Sequence, residues 1–287
     1  MTTAAGTGIY EKLKRLEGIL HGIDSLGVAF SGGVDSTFLL AFAKTVLNDK
    51  VIAVTSESKI HPDWEARDAR KIARDLNVEH LRFHSNEMNL PDFLKNERNR
   101  CYVCKKALFA TIREIVSGKG ISSISHGANL DDLQDFRPGF KAAEEDRILS
   151  PLVDARLTKD EIRILSREMG LPNWNKPPMA CLATRIPYGT PITREALERI
   201  GKAERFLLDA GFSICRVRYF GSRIRIEVHP NEVSRLLEDS FKNRAIRFFK
   251  RMDISEISVD LEGYSQGSMN QAERVIREVN LSGSPGQ

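Results

Sequence analysis

Two segments of this sequence carry residue types at a spacing that can do chemistry. The first, SGGVDS from Ser31 to Ser36, sets two glycines, two hydroxyls and one carboxylate within six residues. Gly32 and Gly33 let the backbone approach an anion closely, and Ser31 and Ser36 supply hydroxyl donors. A helix starting just after them presents amide groups that have no partner inside that helix. Such a loop is a cradle for phosphate. It differs from a Walker A loop, because no GxxxxGK string followed by Ser or Thr occurs in the chain. Asp35 adds the hard oxygen ligand that a magnesium ion accompanying a phosphate group prefers. The bland alternative is a tight turn that holds no ligand.

The second segment, RNRCYVCKK, contains Cys101 and Cys104 as a CxxC, and Cys181 and Cys215 lie further along. At CxxC spacing two thiolates can reach one metal or one cluster, and Arg98, Arg100, Lys105 and Lys106 are expected to favour the thiolate form. Three outcomes compete: a structural zinc site using all four cysteines, a redox-active dithiol, and an iron-sulfur cluster on three cysteines. Cys215 sits between Ile214 and Arg216 in a strand pattern, where a cysteine is usually a small buried hydrophobe; that argues against a closed four-thiolate zinc site. A 4Fe-4S cluster on Cys101, Cys104 and Cys181 keeps one iron without a protein ligand, and an open iron suits sulfur delivery.

Other charged groups are candidates of a weaker kind. In HGANLDDLQDFRPG, from His126 to Gly139, Asp131, Asp132 and Asp135 can ligate magnesium or orient a substrate. Arg137 can pair with a phosphate or carboxylate there. The alternative is a set of acids favourably placed in a first helical turn. Arg216 and Arg218 share one face of a strand by the two-residue period, and Glu227 lies on the partner strand. Two guanidinium groups there can bind a phosphate, while Glu227 can bind metal (Mg) or pair with one of them. A solvated charged face is the alternative.

The elements that position these groups are legible as periods. Leu26 to Phe30, Val51 to Thr55, His80 to Phe83 and Ile121 to Ser125 are short apolar runs that predict buried strands. Between them Leu39, Phe42, Ala43 and Val46 mark one helix, Asp63 to Leu76 a second, and Lys105 to Val116 a third. This alternation predicts an α/β fold, a doubly wound parallel sheet, with the phosphate loop and the His126 segment both at strand carboxyl ends. Thr158 and Glu161 form a capping box for a further helix that ends at Gly170 and Pro172. The stretch from Leu171 to Thr193 then holds five prolines and no clear period. Beyond it, Thr193 caps a helix with Ala196, Ile200, Ala203 and Leu207 on one side. A hairpin around Gly221 and Ser222, helices from Glu232 to about Met252 and a strand from Glu256 to Leu261 complete a smaller C-terminal α+β domain. The domain expectation is therefore 1–175, a connecting segment 176–192 that carries Cys181, and 193–287.

Composition narrows the class. The 287 residues are 41% hydrophobic, enough for a real core, and no stretch has the roughly 18 apolar residues of a membrane span. The start, MTTAAGTG, has neither the basic end nor the apolar run of a signal peptide, so a cytoplasmic location is expected. A formal charge of +4, with acids and bases intermixed, offers no concentrated basic block for nucleic acid.

SGGVDST resembles the PP-loop of the ATP pyrophosphatases, which cleave ATP to AMP and pyrophosphate while adenylating a substrate. With the CxxC, GANLDDLQDFRPG, PPMACLATRIPYGTPIT and RVRYFGSRIRIEV following in this order, the chain is similar to the LarE family from about residue 9 to about residue 262. The resemblance implies an ATP-dependent sulfur transferase of nickel-pincer nucleotide cofactor biosynthesis. Such enzymes adenylate a carboxylate of pyridinium-3,5-biscarboxylic acid mononucleotide and convert it to a thiocarboxylate. ATP and Mg2+ are the implied cofactors, with Ser31, Gly32, Gly33, Asp35 and Ser36 on ATP. Arg216, Arg218, Arg185, Asp132 and Arg137 fall to the small-molecule nucleotide substrate, and a homohexamer is the implied assembly.

Within that family one group sacrifices the thiol of a single cysteine at the position of Cys181. Another has three cysteines and uses an iron-sulfur cluster as carrier; Cys101, Cys104 and Cys181 resemble the second. Two rivals remain: a cluster-dependent tRNA thiolase, and a zinc-stapled nucleotide-binding module without catalysis. The sulfur donor is not specified by any residue.

Overall fold

The computed structural model describes residues 4–134 and 138–265, and the chain separates into two compact units, Met1–Cys181 and Leu182–Gln287. In the first unit the order is α1 (Ala4–His21), β1 (Leu26–Ala29), α2 (Val34–Leu47), β2 (Val51–Glu57), α3 (Asp63–Asp75) and β3 (Glu79–His84). Then come the short α4 (Pro91–Leu94), α5 (Arg100–Ser117), β4 (Ser123–His126), α6 (Pro138–Glu145), the short α7 (Pro151–Asp154) and α8 (Lys159–Glu168). The four strands are all parallel, in the order β3-β2-β1-β4.

Both faces of this sheet are buried, and β2 shows why. Val51 and Ala53 belong to a core with Leu16 and Leu20 of α1, Phe38 and Leu39 of α2 and Ile162 and Leu165 of α8. The alternate residues Ile52 and Val54 belong to a second core with Phe109, Ile112 and Val116 of α5. Successive side chains on a strand point to opposite faces, so a strand that is apolar throughout must be covered twice. Each such Val or Ile taken from water contributes roughly 1.5–3 kcal/mol. The doubly wound α/β reading is therefore correct. From β1 the chain steps outward to β2 and β3, then returns to place β4 on the other side of β1. The reversal opens a crevice at the carboxyl ends of β1 and β4.

In the second unit α9 (Arg194–Asp209) leads to the hairpin β5 (Cys215–Phe220) and β6 (Arg223–Val228), then to α10 (Val233–Leu237), α11 (Asp239–Lys250) and β7 (Glu256–Val259). Phe220 pairs with Arg223, which leaves Gly221–Ser222 as a two-residue turn, and β7 adds parallel to β6. Cys215, Val217, Ile224, Ile226 and Val228 face a core closed by Leu207, Phe241 and Phe249. Cys215 is thus a buried apolar group of this core, at 2% exposure.

Three details differ from the expected elements. α1 has no counterpart in the sequence reading, although Leu16 and Leu20 are fully buried at helical spacing. α5 begins at Arg100 rather than Lys105, because buried Arg100 is held by Asn96 before any apolar period starts. As a result the CxxC forms the first turn of a helix. The helical stretch after Glu232 breaks at Glu238, whose ψ of 130° is extended. No described helix is long and apolar enough to cross a membrane.

The capping box at α8 is formed in full: the Thr158 hydroxyl accepts from the Glu161 amide, and Glu161 accepts from the Thr158 amide at 2.9 Å. Thr158→Ala removes one side of it, and equilibrium urea unfolding should show a loss of about 1 kcal/mol.

Candidate active site

The phosphate loop leaves the end of β1 and enters α2. Its hydroxyls form a cup in which Ser31 Oγ and Ser36 Oγ are 3.1 Å apart, and the Gly33 amide donates to Ser31 Oγ at 3.3 Å. Gly32 has φ +71°, in the left-handed region that only glycine adopts readily, and a Cβ there would come within 3.1 Å of Ala69 on α3. The first turn of α2 therefore opens toward a space lined by amides and hydroxyls.

Asp35, in that first turn, is the most constrained acid of the site. Its Oδ2 lies 2.6 Å from Lys159 Nζ at the start of α8, and its buried Oδ1 makes no hydrogen bond of full geometry, with the Asn129 side chain as a neighbouring donor. Burial raises its pKa, Lys159 opposes that rise, and the neighbouring charge of Asp132 adds to it. A largely buried carboxylate under the charge of a second carboxylate fits a divalent cation with oxygen ligands.

The segment after β4 meets the loop closely. A Cβ on Gly127 would stand 2.7 Å from Ser36 N and 2.8 Å from its Cα, so only glycine allows this approach. Asp132 Oδ2 accepts from the Asn129 amide at 3.0 Å, and Asp131 Oδ2 accepts from the Lys159 amide at 2.8 Å. Asp131 thus joins this segment to α8, while the charge of Asp132 acts on Asp35. Asp135 and Arg137 lie outside the described residues. His126, at the end of β4, lies edge-on to Phe109 and Phe140, with Nε2 2.8 Å from Ser150 Oγ. Burial, helped by the charge of Lys105, lowers its pKa to about 3. His80 is likewise lowered to about 4 by burial and then by Arg82, and its Nε2 meets Thr55 Oγ1 at 2.7 Å.

Cys101 and Cys104 stand one turn apart on α5, and Cys181 closes the same unit; all three are half-buried, and no cysteine forms a disulfide. The expected thiolate character is corrected at Cys104. Burial pushes its thiol up to about 12, the charge of Cys181 adds to the rise, and Lys105 opposes it too weakly. Of the other cations, Lys106 is 2.6 Å from Asp146 and Arg100 is turned to Asn96. The coupling between Cys104 and Cys181 brings these two thiols into one electrostatic neighbourhood. Among the described residues no group of three or more His, Cys, Asp and Glu side chains is placed to hold a metal ion.

The second unit gathers its arginines around two glutamates. Arg185, fully buried, pairs with Glu204 through Nε to Oε1 at 2.8 Å and Nη2 to Oε2 at 2.9 Å. Arg218 pairs with Glu227 through the same fork at 2.9 and 2.7 Å, and Arg225 adds a contact at 3.1 Å. Of the two roles expected for Glu227, pairing with an arginine is the one formed, and its carboxylate is enclosed by two guanidinium groups. Arg216 donates to Cys215 O at 2.7 Å and stacks 4.8 Å over Tyr264. Burial and the charge of Arg185 lower its pKa. Arg216 and Arg218 are 4% and 5% exposed, which replaces the alternative of a solvated strand face. Arg185, Arg216 and Arg218 are thus buried guanidinium groups gathered near Glu204 and Glu227.

Sequence reasoning missed Lys159, Asn173 and Glu204. Lys159 had a signal, since a lysine in a first helical turn opposes the helix dipole and calls for an anion nearby. Asn173 and Glu204 had none: each acts through a partner distant in the chain.

Comparison with known proteins covers nearly the whole chain. The family described as Asparagine synthase matches residues 20–96. An uncharacterized protein of Synechocystis is 36% identical over 260 residues, 91% of this chain and 97% of its own length. The pyridinium-3,5-bisthiocarboxylic acid mononucleotide synthase of Lactiplantibacillus plantarum is 32% identical over 90% of this chain and 94% of its own. The glutamine-hydrolyzing GMP synthase of Aeropyrum pernix is 28% identical over 63% of this chain and 39% of its own.

Two outcomes are expected. Gly127→Ala should raise the ATP dissociation constant by about tenfold or more in calorimetry, because the added methyl must push the loop at Ser36. Acid should destabilise the first unit. A histidine with a depressed folded pKa stays neutral when folded and takes up a proton on unfolding, so stability is full above about pH 6.5 and is lost as pH falls toward the values of His80 and His126. Thermal melting between pH 7 and 4 should show this fall, with a shallower slope in His126→Gln.

Proposed function

The chain belongs to the LarE family of PP-loop, ATP-dependent sulfur transferases, and on that premise we propose that it adenylates a carboxylate of pyridinium-3,5-biscarboxylic acid mononucleotide and converts it to a thiocarboxylate. One observation carries this reading: the phosphate loop, the desolvated Asp35 and the three thiols Cys101, Cys104 and Cys181 all belong to one compact unit.

The loop amides and the Ser31 and Ser36 hydroxyls hold the phosphates of ATP. Asp35 and Asp132 would hold Mg2+, which neutralises charge on the departing oxygens when bound. A substrate carboxylate oxygen attacks the α-phosphorus, the bond from that phosphorus to the β-bridging oxygen breaks, and pyrophosphate leaves. A carboxylate nucleophile carries its own electron pair, so no general base is required. The acyl adenylate then accepts a sulfur nucleophile at its carbonyl carbon, the bond to the AMP oxygen breaks, and AMP leaves. In the second unit Arg216 and Arg218 are the candidates for binding a phosphate, and Glu204 holds Arg185.

Cys101, Cys104 and Cys181 would hold a 4Fe-4S cluster, which supplies a labile sulfur when bound. The fit rests on the donor chemistry. Three half-buried thiols share one unit, and thiols are the donors that an iron-sulfur centre takes, losing their protons as it binds. A second reading is favoured by one specific observation, that the thiols as placed form no metal-holding group. In it the Cys181 sulfur attacks the adenylate itself; loss of the Cα proton and cleavage of the Cβ–S bond then leave dehydroalanine at position 181 and the sulfur on the substrate. In either form the enzyme acts in the cytoplasm as a homo-oligomer, on a small nucleotide rather than on RNA.

Anaerobic purification with iron and sulfide analysis separates the two. Cluster use predicts bound iron and sulfide, loss of the visible absorption in both Cys101→Ala and Cys181→Ala, and several thiocarboxylates formed per chain. One product per chain, with the mass of one hydrogen sulfide lost at Cys181, selects the second reading. An absence of AMP and pyrophosphate with the pyridinium substrate refutes both.

A further inference from the structure

Asn173 makes two hydrogen bonds that no step above uses. Its Nδ2 donates to Gly32 O at 3.0 Å and to Thr37 Oγ1 at 2.9 Å, across more than 130 residues of chain. The side chain is 8% exposed, and its Oδ1 is buried without a partner, so the two donated bonds alone set its orientation. Its backbone is anchored on several sides. Leu171 is buried and donates to Ser166 O, the Lys176 amide donates to Asn173 O at 2.9 Å, and Lys176 Nζ reaches Asp68 of α3 at 2.9 Å.

The consequence follows from peptide geometry. In a trans peptide the carbonyl and the following amide point in opposite directions, and no cis bond occurs among the described residues. Gly32 and Gly33 carry no Cβ, so the peptide between them has little steric preference for either orientation. When Asn173 draws Gly32 O to itself, the Gly33 amide must point the other way, into the cup of Ser31 and Ser36, where it is found. The opposite orientation would aim a carbonyl oxygen at the phosphate. Thr37 extends the hold, because its own amide donates to Gly33 O at 3.0 Å while its hydroxyl accepts from Asn173.

We propose that Asn173 is a positioning residue for nucleotide binding: it fixes the Gly32–Gly33 peptide so that the loop presents an amide, and not a carbonyl, to the phosphates that leave as pyrophosphate. The proposal rests on the reading of Ser31 to Ser36 as the phosphate cradle. It is independent of how sulfur is delivered.

The test compares ATP and AMP binding, with magnesium, by calorimetry in wild type, Asn173→Asp and Asn173→Ala. Asp keeps the shape and loses both N–H donors; Ala removes the group without adding charge. The expected result is ATP affinity weakened about tenfold or more in both variants, AMP affinity changed by less than about twofold, and melting temperatures close to wild type. Wild-type ATP affinity in either folded variant overturns the proposal. So does an equal weakening of ATP and AMP, which would mean a general loosening. A wild type that does not prefer ATP to AMP overturns both the proposal and the cradle reading. Because binding is measured without turnover, normal ATP binding with no thiocarboxylate product would refute the sulfur-transfer reading and leave the role of Asn173 standing.

Discussion

A strand with parallel neighbours on both edges has its backbone groups taken up on each side, and β1 is such a strand, paired with β2 from Leu26 to Ala29 and with β4 over the same residues. The last of these bonds on the β2 side is from Phe30 N to Val54 O. Beyond Phe30 the chain has no ladder to join, and every amide up to the second turn of α2 must find another partner or a ligand. That constraint produces the site. The serine hydroxyls take some of these groups, Asn173 takes one carbonyl, and the remainder form a concave array of donors. The buried faces of the sheet keep the array fixed, since β1 cannot shift without breaking two packed cores.

The two units hold charge in different ways. In the first, a lysine stands against a carboxylate at the mouth of the loop, both about one-quarter exposed or less, so the pair can be exchanged for another cation without unfolding anything. In the second, Arg185 with Glu204 and Arg218 with Glu227 are sealed from water in forked pairs. Charges so enclosed are costly to separate, because the abandoned partner would remain buried and uncompensated. The first arrangement suits a site that must open to a ligand and an ion. The second fixes its guanidinium groups in place.

What the sequence reveals divides along the same physical line. The four strands of the first unit, the helix cap at Thr158 and the hairpin at Gly221 were readable because each depends on neighbours within a few residues or on burial of a regular pattern. Cys215 was readable as a core residue for the same reason. The protonated state of Cys104 was not, because counting nearby basic residues ignores where they point: Lys106 turns to Asp146, and desolvation then decides. The forked pairs were only half readable, since the strand period placed Arg216 and Arg218 on one face but carried no sign of Glu204 on α9. Membership of the family was visible from motif order, while the distances that give those motifs meaning were not.

The closeness of Gly127 to Ser36 also bears on the order in which the walls of the loop are made. The glycine loop emerges among the earliest residues of a nascent chain, yet one of its walls is supplied some ninety residues later and the amide that orients it later still, at Asn173. A ribosome-bound fragment that ends before β4 contains the whole motif and the α3 wall at Ala69, but neither Gly127 nor Asn173. The loop's full set of neighbours is thus present only once the first unit is complete.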